Sequence, residues 1–242
     1  MKKLIVSLGL ALTLSFGATF NEGVEAFEKG DYKTALQIFE ELSYKNNANA
    51  QYNLGNIYSN GYGVKQDYKK AIEWYEKAAA QGFAAAQYNL GFMYHNGKGV
   101  KQDYLKTKEW WEKAAAQGYA PAQSNLGIMY ANGYGVKQDY KKAIEWYEKA
   151  AAQGFAVAQY NLGVMYSNGK GVKQDYFKAK ELYEKAAAQG YALAQYNLGV
   201  FYANGEGVKQ DYFKAKEWFG KACDNRDQES CDNYKILNQQ GY

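Results

Sequence analysis

The phrase YNLGVMYSNGKGV at residues 160–172 stands 36 residues earlier as SNLGIMYANGYGV and 36 residues later as YNLGVFYANGEGV. Aligning Asn53, Asn89, Asn125, Asn161 and Asn197 brings everything else into register. A leucine follows each asparagine, and a glycine follows each leucine. A fixed period between about 20 and 50 residues marks an array of like supersecondary units. A catalytic motif normally occurs once; a building block recurs. Five copies restrict the chain to an array and leave little room for a unique active site.

Within a unit the apolar spacing is helical. Ala50, Leu54, Ile57 and Tyr58 share one face of a first helix. Asn60-Gly61 stops it, because glycine accepts the left-handed conformation beyond a helix end. After the loop YGVKQ, Asp67 caps a second helix with Ala71, Trp74, Tyr75 and Ala78 on one face. Tyr58, Tyr68, Trp74 and Tyr75 read as a core stripe. Glu73 precedes Lys77 by four residues, the favourable order for an exposed pair. Gly82 ends the second helix. Such a hairpin cannot bury its apolar face alone, and stacked neighbours supply the missing surface, so the fold class is an all-α solenoid of helical hairpins. Gly55 and its equivalents each cost about 1 kcal/mol against alanine in a helix, which is tolerable where two helices must cross closely. Residues 64–84 and 136–156 are identical, so the array looks assembled from pairs of hairpins.

The start of the chain differs. Met1, Lys2 and Lys3 form a positive region, Leu4 to Leu14 an apolar run of 11 residues, and Ser15-Phe16-Gly17 a small-x-small site. This reads as a secretory signal peptide over residues 1–17, since 11 apolar residues are too few to span a bilayer. A buried N-terminal helix is the alternative. No cysteine lies beside the cleavage site, so a lipid anchor is not expected. Removing Lys2 and Lys3 leaves 27 basic and 25 acidic side chains, a net charge of +2. Lys65, Lys101, Lys137, Lys173 and Lys209 recur, but each lies two residues from an aspartate. A solvated loop edge accounts for them, and nucleic acid, which needs a basic stripe, is disfavoured.

AQYNLGNIYSNGYGVKQDYKKAIEWYEKAAAQG resembles the Sel-like repeat, a 36-residue relative of the tetratricopeptide repeat, and the likeness covers about residues 50–222. It implies a right-handed superhelix of stacked hairpins. Residues 18–49, with GVEAFEKGDYKTALQIFEEL, resemble an ordinary tetratricopeptide hairpin with a shorter loop. Residues 223–242 read as a polar capping helix: Asn233 keeps the register, but Tyr234 and Lys235 replace the leucine and glycine.

Cys223 and Cys231 stand where earlier units have Ala79 and Gln87. One falls late in a second helix and the other early in the next first helix. Packing across a tight turn brings such positions together, and an exported chain meets an oxidising compartment. An intramolecular bridge pinning the cap is the expectation; two free thiols or an intermolecular bridge are the alternatives. The spacing is not a zinc spacing, and the single histidine, His95, is distant. The same cysteine spacing resembles the cysteine-rich Sel-like proteins of Helicobacter, which carry a pair in nearly every repeat, against one here. That resemblance implies an enzymatic alternative, a weak penicillin-binding or β-lactamase activity. Ser167-Asn168-Gly169-Lys170 matches S-x-x-K by letters, yet it lies on a helix stop signal, and no S-D-N or K-T-G accompanies it. No catalytic residue, metal or cofactor is expected. His95 takes a position held elsewhere by serine or alanine and reads as exposed.

Function is then sought where positions vary within the fixed frame. One first-helix stripe runs at offsets of three and four, away from the leucine face. Its first row is Asn49, Ala85, Pro121, Val157 and Leu193; its second is Tyr52, Tyr88, Ser124, Tyr160 and Tyr196; its third is Asn56, Phe92, Ile128, Val164 and Val200. The resemblance places first helices on the concave surface, so the stripe would line a groove that turns from polar to apolar. Exposed apolar groups there suggest a partner surface; the alternative is that the superhelix closes and buries them. The recurring asparagines read as structural, bonding backbone at the hairpin, before ligand-binding. The expected function is an exported, monomeric scaffold whose groove takes a protein or peptide partner, in the periplasm or outside the cell, without a membrane span. A structural envelope protein without a dedicated ligand is the remaining alternative.

Overall fold

The computed structural model describes residues 18–242, so the expected signal peptide, residues 1–17, lies outside the described residues. Among the described residues there are thirteen helices and no strand. They are α1 (Phe20–Glu28), α2 (Tyr32–Tyr44), α3 (Ala48–Asn60), α4 (Tyr68–Ala80), α5 (Ala84–Asn96), α6 (Tyr104–Ala116) and α7 (Ala120–Asn132). Then come α8 (Tyr140–Ala152), α9 (Ala156–Asn168), α10 (Tyr176–Ala187), α11 (Ala192–Asn204), α12 (Tyr212–Asp224) and α13 (Gln228–Gln239). The chain divides into one unit ending at Gln81, which holds α1–α4, and a second from Gly82 to Tyr242 with α5–α13. In each unit consecutive helices pack on one another. The class is all-α, built of stacked hairpins.

Helix ends follow local chemistry. Asp67, Asp103, Asp139, Asp175 and Asp211 each accept a backbone N–H from the first turn of a second helix. They thereby satisfy donors that have no partner within the helix. First helices α3, α5, α7, α9 and α11 all end on a left-handed glycine, with φ between 65° and 77°. The loop glutamine closes each hairpin: Gln138 Nε2 donates to the Ala131 carbonyl at 2.7 Å, and Gln174 Nε2 to that of Ser167 at 2.7 Å.

Ala35, Phe39, Ala50, Leu54 and Ile57 form the core of the first unit. In the second, Leu126, Met129, Leu162, Leu198 and Phe201 are buried in the same register. The expected aromatic stripe is only partly core. Tyr75 is buried, whereas Tyr58, Tyr68 and Trp74 are half-buried. Lys77 lies 3.8 Å from the Trp74 ring centroid, so a cation–π contact takes the place of the expected pairing with Glu73. In α6 the corresponding lysine, Lys113, does pair with Glu109, at 2.7 Å.

A second ladder joins hairpin to hairpin. Gln123, Gln159 and Gln195 are buried, and their amides donate to the carbonyls of Ala115, Ala151 and Ala187, eight residues back. Each amide oxygen accepts from a side chain 30 residues on: Gln153, Gln189 and Asn225, at 2.8–2.9 Å. A buried amide left unpaired would cost about 1–3 kcal/mol, so the ladder fixes how one hairpin sits on the next. At the last junction Cys223 and Cys231 occupy the alanine and glutamine positions and form a disulfide, with Cα atoms 4.7 Å apart. The covalent bond replaces the hydrogen bond.

Candidate functional site

The five first helices of the repeats, α3, α5, α7, α9 and α11, contain no Asp, Glu, Lys or Arg. Formal charge falls on the second helices, the loops and the two ends. The stripe is therefore a surface of amides, phenols and aliphatic groups. In the first unit Asn49 is exposed, while Tyr52 and Asn56 are half-buried. Tyr75 donates its hydroxyl to Asn56 Oδ1 at 2.8 Å, so a core ring ends in the stripe.

In the second unit the third row holds Phe92, exposed at 39%, followed by half-buried Ile128, Val164 and Val200. In the first row Ala85, Pro121 and Val157 are half-buried and Leu193 is exposed at 43%. The tyrosine row is held from beneath. Tyr160 packs against Tyr183 and Tyr191, with centroids 5.8 and 5.2 Å away, and Tyr88 packs on Tyr119 at 5.4 Å. Burial, with a smaller push from Tyr191, holds the Tyr160 hydroxyl above its ordinary value, so it stays a neutral donor. Ser124 departs from expectation. It is 1% exposed, because its short side chain does not reach the surface that the neighbouring tyrosines reach. Its hydroxyl has no hydrogen-bond partner.

The recurring asparagines are structural, and not all of them through backbone. Asn53 Nδ2 donates to the Asn49 carbonyl of its own helix at 2.9 Å, and Asn125 Nδ2 donates to the Tyr88 hydroxyl at 3.3 Å. They tie the stripe to itself. His95 is also not exposed as expected: it is half-buried, with Tyr104 and Trp111 ring centroids each 5.4 Å away. Burial lowers its pKa. Ser167 and Lys170 lie on either side of the helix end at Gly169, and Lys170 faces the Tyr140 ring at 5.8 Å. They do not form a serine–lysine pair one helical turn apart.

Two residues of α13 extend the stripe and were missed. Glu229 and Ile236 lie 36 residues beyond Leu193 and Val200. With Tyr196, Val200, Phe219 and Leu237 they line a cavity of about 290 Å³. Tyr196 donates to Glu229 Oε1 at 2.6 Å, and that bond, then burial, pushes its pKa up to about 12. The same register would have found both residues, had α13 not been read only as a cap.

The Sel1 repeat model matches residues 48–83, 84–119, 120–155, 156–191 and 192–227. A Sel1 repeat protein from Oxalobacter formigenes has a similar structure, with 34% identity, 92% of this chain and 98% of that one covered, and a TM-score of 0.84. The protective antigen c5321 of uropathogenic Escherichia coli, which displays an SLR fold, is also 34% identical. There the match covers 93% of this chain and 52% of the antigen, at a TM-score of 0.80. The cysteine rich protein B of Helicobacter pylori is 30% identical over 52% of this chain and 95% of its own, at a TM-score of 0.42. No curated protein matches.

Proposed function

This chain belongs to the Sel1 repeat family, and on that premise we propose that it is an exported scaffold that binds a segment of a protein or peptide along its first-helix stripe. The observation that carries the reading is the division of labour between helices. The first helices are free of formal charge yet leave Phe92 and Leu193 exposed, while the second helices hold the charged residues. Exposed apolar groups along one stripe mark a surface that a partner can cover. The tyrosine and asparagine side chains between them offer hydrogen bonds to a peptide backbone without selecting a charge.

Export is supported by the disulfide, which persists in an oxidising compartment, and by the leader-like residues 1–17. No helix among the described residues is long and apolar enough to cross a membrane. The stripe is proposed to act in a monomer. Affinity capture from an envelope extract, with the natural chain and with Phe92→Glu, tests the reading. A partner retained by the first and lost by the second supports it. A partner retained equally by both refutes the stripe, and the absence of any partner returns the chain to a structural role.

A further inference from the structure

We propose that the edge of residues 82–242 formed by the hairpin loops and the starts of the second helices docks on an anionic lipid bilayer. Leu105, Phe177 and Phe213 would enter its interfacial layer. Each is the second residue of a second helix, in α6, α10 and α12, and they are exposed at 72%, 72% and 66%. Phe213 stays that exposed even with the Tyr242 ring edge-on at 5.6 Å. Single exposed apolar residues are ordinary. Three in one register, on one edge, form a set.

The charge around them is one-sided. Residues 98–106, 134–142, 170–178 and 206–214 carry eleven lysines against five acids. Four of those acids are the helix-capping aspartates, whose carboxylates already accept backbone N–H groups. From the middle of the second helices to the far end of the same hairpins, residues 111–124, 147–160, 183–196 and 219–232 carry five basic against seven acidic side chains. In sequence the two signs interleave; in the fold they separate. Lys106, Lys178 and Lys214 are steadied over Tyr94, Tyr166 and Tyr202, at 5.0, 4.3 and 5.4 Å from the ring centroids. Lys137, Lys141 and Lys142 border a cavity of about 720 Å³ on the same edge, wide enough to seat a phosphate headgroup.

Lysines with protruding phenyl and isobutyl groups between them match a bilayer surface, where phosphates face the cations and acyl chains take the apolar tips. A bare polyanion would use the lysines alone. Its apolar anchors stand on the second helices α6, α10 and α12 and not on the first-helix stripe, which the lysine edge meets where Lys98 lies 5.2 Å from the Phe92 ring centroid.

The test uses protein beginning at Ala18, which keeps every described helix and lacks the apolar leader. It is sedimented with vesicles of phosphatidylglycerol and phosphatidylcholine, and with phosphatidylcholine alone. The protein should sediment with the first, not the second, and be released as salt rises. Phe177→Ser with Phe213→Ser should lower partitioning about tenfold or more at unchanged Tm, and Lys137→Glu with Lys141→Glu should lower it too. Failure to sediment with anionic vesicles overturns the proposal. Binding that ignores the phenylalanine changes overturns it as well, and would mark a polyanion site that an oligonucleotide should then also occupy.

Discussion

Tyr147 of α8 closes directly over Gly127 of α7: a β-carbon placed on that glycine would stand 2.5 Å from Cε1 of the ring. The same relation, 20 residues apart, joins Gly163 to Tyr183 and Gly199 to Phe219, and in the first unit Gly55 to Tyr75. The glycine that looks wasteful in a helix is the seat of the ring that locks the hairpin.

Gly127→Ala sets two terms against each other. Alanine gains about 1 kcal/mol of helix propensity, but the displaced ring costs about 1–3 kcal/mol of overpacking. The buried Tyr147 hydroxyl and its packed ring leave little room to yield. A lower Tm, measured by circular dichroism, is expected despite the better helix former. A raised Tm would mean that the ring is not locked.

The hydrogen-bonded junctions and the disulfide make a matched pair for mutation. Gln159→Leu removes both bonds of the ladder at that junction, but the Ala151 carbonyl keeps the Gly154 N–H and the exposed Gln189 amide keeps the Lys185 carbonyl, so the expected loss is about 1 kcal/mol. Cys231→Ser releases a short loop and should lower stability by about 2–3 kcal/mol, with the loss confined to α13. Hydrogen exchange resolves the two: amides of α13 should lose protection in the second variant while α7–α9 keep theirs.

His95 gives a pH dependence with a definite sign. Burial among Tyr104, Trp111 and Tyr134 depresses its pKa below 6.5. The unfolded chain therefore takes up a proton first, and the stability present above pH 6.5 is lost as pH falls toward the folded-state value. His95→Ser, the residue found at Ser59 and Ser167, removes that dependence. The fall in Tm between pH 8 and pH 5 should be larger for the natural chain than for the variant. Equal falls would place the imidazole in water.

Much of the hairpin was legible because it rests on local chemistry. An aspartate before a helix and a glycine after one act through their own few residues, and the caps fall at Asp67 and Gly61 as the spacing predicts. The cysteine pair was legible because the repeat register carried two positions onto known places. Ser124 and His95 were not. Periodicity says which face a side chain leaves from, but not how far it reaches or what closes over it. A serine among tyrosines falls short of the surface, and a histidine among aromatic rings is drawn in. The segregation of lysines to one edge was hidden for another reason: loop and helix end alternate in sequence while lying at opposite ends of each hairpin.

Processing can be read from the first cap. Thr19 accepts from the Glu22 backbone at 3.3 Å, and its own N–H donates to the Glu22 carboxylate at 2.7 Å. Cleavage after Gly17 or Ala18 would keep that capping box whole. Intact-mass measurement on protein from its natural host should give a chain starting at Ala18 or Thr19. A chain retaining Met1 or Lys2 would contradict export.

The stripe is tested most directly by comparing Phe92→Glu, Ile128→Glu and Val164→Glu with Leu126→Glu. Phe92 is 39% exposed, so its variant should lose no more than about 0.5 kcal/mol. Ile128 and Val164 are half-buried against the core and should lose about 1 kcal/mol. Leu126 is fully buried, and a carboxylate there should unfold its hairpin. Against a partner, each stripe carboxylate is desolvated and should weaken capture by about 2–5 kcal/mol. The measurement is the Tm of each variant followed by its affinity for the captured partner. Three folded proteins that no longer bind are expected. If the three melt as badly as Leu126→Glu, or bind as well as the natural chain, the stripe is not the binding surface.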